Sequence, residues 1–147
     1  MRGPGRAEYG LGMTSTRRGR STIPAWRING LATSLILLIE FGLGAGLNLY
    51  VSVPTHKAFF STVFGEWALA LHAITALALI AAALSTLIRS ARAGRAIFWS
   101  VLGLVAILVA TGAGAGFVRN GSATSSMAMA IAGIVALLSY VMVIFAV

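Results

Sequence analysis

The chain of 147 residues is 59% hydrophobic, carries three acidic side chains against eleven Lys and Arg, and has a mean hydropathy of +0.93. A soluble domain this small needs roughly a quarter of its residues charged to stay dispersed; this one has 10%, so the solvent it is built for is a bilayer. The lack of cysteine excludes disulfides, thiolate metal sites and thiol nucleophiles, and the net charge of +8 comes with no motif or fold that would make it a nucleic-acid surface.

Residues 1–27, "MRGPGRAEYGLGMTSTRRGRSTIPAWR", are rich in Arg, Gly, Ser and Thr, without hydrophobic periodicity, and are expected to form a disordered cytoplasmic tail. Met13 offers a second initiator within it. Residues 28–147 are expected to be an all-α, four-helix transmembrane bundle, with spans at 29–52, 66–88, 96–118 and 124–146. Lipid offers the backbone no partners and no barrel-like alternation occurs, so the spans must be helices. A cleaved signal peptide is a poor account of the first span, which is too long, holds a glutamate and lacks a small-residue cleavage site.

The first span reads "LILLIEFGLGAGLNLYV" and sets Glu40 and Asn48 in hydrocarbon. Glu40, Gly44 and Asn48 are spaced i, i+4, i+8 and are expected on one inward face. Gly42 and Gly46 make a GxxxG spacing suited to close helix packing. The external connection that follows holds His56 and three phenylalanines, Phe59, Phe60 and Phe64, which suit an interfacial segment or a cap on the bundle mouth. The second span begins at Glu66 and places His72 at about the depth of Asn48, with Glu40 deeper. In the third span Gly112, Gly114 and Gly116 repeat the small-residue pattern and Arg119 ends it; Ser125 and Ser126 are expected to cap the fourth.

Nine arginines flank one side of the spans: Arg2, Arg6, Arg17, Arg18, Arg20, Arg27, Arg89, Arg92 and Arg95. Lys57 and Arg119 flank the other. This bias predicts a plasma-membrane protein with both termini cytoplasmic. Trp26, Trp67, Trp99 and Tyr50 fall at span ends, where aromatic rings settle at headgroup level. "FGLGAGLNLY" (41–50) and "TGAGAGFVRN" (111–120), seventy residues apart, together with a looser likeness between 69–79 and 128–138, suggest a 2+2 internal repeat about an axis normal to the membrane.

Intramembrane carboxylates are costly and are kept buried, paired or protonated. Glu40, Asn48 and His72 are therefore the candidate polar site: a proton relay, a quinone headgroup site, part of a metal or haem site, or a hydrogen-bonded lock between helices. His56, Glu66, Arg119, Ser125 and Ser126 form a candidate external mouth. The ligand types of His56, Glu66 and His72 suit a metal but their spacing matches no metal motif, and the serines lack the elbow and base that a nucleophile needs. Asn120, Gly121 and Ser122 match a glycosylation sequon, a pattern common by chance.

The runs "NLYVSVPTH" (48–56), "WALALHAITALALIAAALSTLIRSAR" (67–92) and "FVRNGSATSSMAMAIAG" (117–133) resemble a group of small bacterial four-helix integral membrane proteins of unassigned function. The resemblance covers most of residues 30–140 and implies a bacterial plasma membrane and the same bundle, with Asn48, His72, Ser125 and Ser126 as the positions that stand out. A more distant likeness is to haem-binding bundles of the haem A synthase and cytochrome b561 type, in which only His72 matches. The expectation is thus a non-enzymatic accessory or assembly component in a lipid bilayer, working by lateral association as a homo-oligomer or within a larger membrane complex, with no cofactor and no nucleic acid. The alternative is a small proton or solute transporter, or a quinone- or haem-linked redox protein, using Glu40, Asn48 and His72.

Overall fold

The computed structural model describes residues 23–50 and 58–146. They form five helices, with no strand among the described residues: α1 Ala25–Tyr50, α2 Phe59–Gly65, α3 Trp67–Ala93, α4 Ile97–Asn120 and α5 Ala123–Phe145. The long helices hold 26, 27, 24 and 23 residues, about 35–40 Å each at 1.5 Å per residue, enough for ~30 Å of hydrocarbon. All four are apolar enough to cross a membrane, and their outward side chains, such as Leu35, Ile39, Leu77, Leu108 and Ile131, are exposed where only lipid would tolerate them. The protein is a membrane-embedded four-helix bundle.

The helices form a ring. α1 packs on α3, α3 on α4, α4 on α5, and α5 closes back on α1, while the diagonal pairs α1/α4 and α3/α5 stay apart. The buried positions explain the order, because each helix turns a seven-residue pattern inward. Trp26, Gly30, Thr33, Leu37, Glu40, Gly44 and Leu47 line α1, and Leu69, His72, Ala76, Leu79, Ala83, Thr86 and Ser90 line α3. Alternating steps of three and four keep one seam facing the same neighbour along the whole helix. The main core gathers Trp26, Leu37, Leu79, Ala83, Ala106, Ile107, Ala136, Tyr140 and Val143.

Short connections enforce antiparallel neighbours. α3 ends in a Schellman turn at Gly94 (φ 65°), where the Gly94 and Arg95 amides donate to the carbonyls of Ala91 and Ser90. Ala96 follows at φ 56° and starts α4. Gly121 (φ 63°) ends α4 in the simpler left-handed cap, its amide donating to the Phe117 carbonyl, and leads into α5. One end of the bundle thus carries Arg27, Arg89, Arg92 and Arg95, and the other carries Arg119 and Glu66.

Several expectations shift. α1 starts at Ala25 because the Pro24 carbonyl accepts from the Arg27 and Ile28 amides, so Trp26 and Arg27 belong to the helix. The α3 helix runs five residues past the expected 88, which puts Arg89 and Arg92 in its last turns. The fifth helix, α2, lies at the Glu66 end, where Val63 joins Leu47 and Leu69 in a small second core while Phe60 and Phe64 stay exposed. Ser125 and Ser126 are not caps: Ser122 occupies the cap position, without a side-chain bond, and the serines sit in the first turn of α5. Trp26, at the end of α1, is buried against the bundle, 6% exposed with the Arg27 guanidinium 5.0 Å from its centroid, whereas Trp67 and Tyr50 at the other span ends are exposed.

Candidate functional site

Position 40 is an inward position of the α1 seam and 72 an inward position of the α3 seam, so the two helices bring their ionisable side chains face to face. His72 Nδ1 lies 3.0 Å from Glu40 Oε1. The two atoms are close without making a well-directed hydrogen bond: His72 Nδ1 and Glu40 Oε2 are both buried with no hydrogen-bond partner among the described residues. Gly44 makes the contact possible: the space its missing Cβ would fill is 3.2 Å from His72 Cε1. A carboxyl and an imidazole at this distance can share one proton between two helices.

Asn48 does not join them. Each residue advances about 100° around a helix, so eight residues displace a side chain by about 80°; Glu40 and Gly44 still face α3, whereas Asn48 has rotated out and is exposed. The expected ladder of three groups is a pair. Below it, one apolar layer of Leu37, Leu79 and Ala83 intervenes, and then the seam becomes polar again. Thr33 and Thr86 hydroxyls meet at 3.0 Å, Asn29 Nδ2 donates to Ser85 Oγ at 2.9 Å, and Ser100 Oγ donates to Ser90 Oγ at 2.9 Å between α3 and α4. Thr33 and Thr86 also reach the carbonyls of Asn29 and Ala82 on their own helices; with one proton per hydroxyl, one of the two donates across the seam while the other donates to its own helix. Thr33 and Thr86 fall on the same sevenfold series as Glu40 and His72, whereas Asn29, Ser85, Ser90 and Ser100 lie off it.

The mouth residues do not converge. Glu66, between α2 and α3, and Arg119 are exposed; Arg119 lines an open recess with Phe59, Ala115, Val118 and Asn120. Ser125 packs its Oγ toward Gly116, 3.4 Å from where a Cβ would sit. His56 lies outside the described residues. Among the described residues no three His, Cys, Asp or Glu come together as a metal cluster would require.

The glycines divide in two. Gly44, Gly114 and Gly116 are approached by His72, Met129 and Ser125, and Gly30 and Gly103 by Val143 and the Tyr140 ring. Gly42, Gly46 and Gly112, expected to let a neighbouring helix approach closely, have nothing among the described residues within 4 Å of a Cβ. They face outward because the inward seam of α1 is taken by Glu40, Gly44 and Leu47.

For haem, His72 presents Nδ1 to Glu40 and lies against Gly44, and no second imidazole stands beside it among the described residues. The two described recesses are lined by neither His72 nor Glu40. Compared with known protein families, with curated proteins and with solved structures, the chain has no match.

Proposed function

We propose that the protein is a non-enzymatic component of the bacterial plasma membrane that acts by lateral association, with copies of itself or within a larger membrane complex, both termini being cytoplasmic. The observation that carries this reading is the open pair Gly42 and Gly46, one turn apart on α1, with nothing among the described residues within 4 Å of a Cβ at either. Each glycine costs a helix about 1 kcal/mol relative to alanine, and in lipid, where apolar surface gives no drive to associate, backbones meet through such small-residue faces. The internal polar groups support the same reading, since they join α1 to α3 and α3 to α4 rather than line a chamber. The orientation rests on Arg27, Arg89, Arg92 and Arg95 gathering at one end.

The test is assembly in a native-like bilayer. The full chain with Gly42→Ile and Gly46→Ile should lose its association, read by single-molecule photobleaching or cross-linking, while keeping its helix content. Unchanged assembly in that variant would sink the reading.

The Glu40 and His72 contact favours a second reading, a proton-linked transporter or quinone-linked redox protein. Glu40→Gln separates the two: a packing contact tolerates the isostere, whereas a proton carrier loses its flux in a liposome assay.

A further inference from the structure

The outer face of α3 near the arginine end is shaped for one amphipathic molecule. Ala81, Leu84, Ser85, Ile88, Arg89 and Arg92 line a single open recess. Residues 81, 84, 85, 88 and 92 follow the helical spacing of one stripe, and Arg89 flanks its end. The small side chains of Ala81 and Ser85 leave a depression between Leu84 and Ile88. Ser85 is held in place there because its Oγ accepts from Asn29 of α1. From Ala81 to Arg92 the helix rises about 16 Å, close to half of the ~30 Å hydrocarbon thickness. The stripe is apolar at mid-bilayer and cationic at the rim.

The charge at that rim has no counterpart in the protein. Of the three acidic residues in the chain, Glu40 is paired with His72 in mid-bundle and Glu66 lies at the opposite end. The third, Glu8, is in a segment that carries five arginines of its own: Arg2, Arg6, Arg17, Arg18 and Arg20. Wherever that segment lies, it adds more cation than anion. Among the described residues no Asp or Glu stands at this end of the bundle, so Arg89, Arg92 and, across the Gly94 turn, Arg95 present exposed cations that suit an anion from outside the chain. Guanidinium forks match phosphate oxygens in geometry as well as in sign.

We infer that this groove is a binding site for a single anionic phospholipid, whose phosphate is held by Arg89 and Arg92 and whose acyl chain lies along Ala81, Leu84 and Ile88. The inference is independent of the assembly reading above. A free phosphate would satisfy the arginines but leave the groove empty, and the two sources separate by experiment.

The full chain is purified in mild detergent, where no transmembrane orientation exists for the arginines to set, and titrated with phosphatidylglycerol or phosphatidylcholine under native mass spectrometry. Retention of phosphatidylglycerol over phosphatidylcholine is expected. Replacing both Arg89→Gln and Arg92→Gln should weaken phosphatidylglycerol about thirtyfold, from two rim arginines at the usual contribution of each. Ala81→Phe keeps every charge and fills the depression; it should reduce the phosphatidylglycerol retained, by taking the acyl chain's packing surface, with circular dichroism unchanged. Equal retention of the two lipids, a glutamine double variant or an Ala81→Phe protein that binds like the parent, or displacement of the lipid by millimolar inorganic phosphate would each overturn the assignment.

Discussion

The α1/α3 pair and the α4/α5 pair occupy opposite halves of the ring and hold together by different means. Between α1 and α3 the seam is polar at three levels: Glu40 with His72, Thr33 with Thr86, and Asn29 with Ser85. Between α4 and α5 the contact is close approach: the Tyr140 ring lies where a Cβ on Gly103 would be only 2.7 Å away, and Met129 lies against Gly114. The likeness seventy residues apart makes the contrast sharper. Gly44 and Gly114 are matched positions of the repeat, and each receives a side chain from the helix that follows, an imidazole in one case and a thioether in the other. Position 40 corresponds to Ala110. The imidazole needs a polar partner in lipid and finds Glu40; a thioether needs none. Where apolar burial cannot drive association, polar contacts and glycine-enabled packing are two answers; the α1/α3 seam combines them and the α4/α5 seam relies on the second.

The largest expected effect lies on the packed side. Gly103→Val drives branched carbon into the Tyr140 ring and is expected to cost about 3 kcal/mol, or to prevent folding, by thermal unfolding in detergent. If that variant is as stable as the parent, the α4/α5 contact is not the close one described. On the polar side, a double-mutant cycle of Glu40→Leu and His72→Leu should give a coupling near 1 kcal/mol, in the upper part of the range for interhelical polar contacts in membranes. A coupling of zero would mean that the two groups are neighbours without being partners. The turn joining the two halves offers a gain: Ala96→Gly relieves a left-handed alanine and should stabilise by about 0.5–1 kcal/mol, read as a raised Tm. The smallest effect is Thr33→Val with Thr86→Val, about 0.6 kcal/mol for the pair; a loss several times larger would make the lower polar level, not Glu40 and His72, the main fastening of that seam.

The four spans were legible in the sequence because lipid imposes helix on any long apolar run, and Glu40 and His72 were legible because ionisable groups are rare there. Their pairing with each other was obscured by a reading that treated i, i+4 and i+8 as one face; the rotation that carries Asn48 outward is small per turn and accumulates. α2 was not legible as a helix, since seven residues give no period to count. The hydroxyl contacts were hidden for a different reason. Ser and Thr are ordinary in membrane helices, where they bond their own backbone, as Ser34 and Ser139 do, so composition does not distinguish a hydroxyl that reaches across a seam from one that does not.

The ring order has a mechanical corollary. Three of its four seams join helices that follow one another among the long helices, and the chain itself keeps those neighbours close. The seam of α5 with α1 is the exception, closed by side chains alone: Val143 on Gly30, Phe41 beside Gly133, and the Arg27 guanidinium donating to the Ala146 carbonyl at 3.0 Å. It is a clasp rather than a hinge. Separating it stretches no connection, and of the four seams it is the one a foreign helix could enter while the bundle stays threaded as it is.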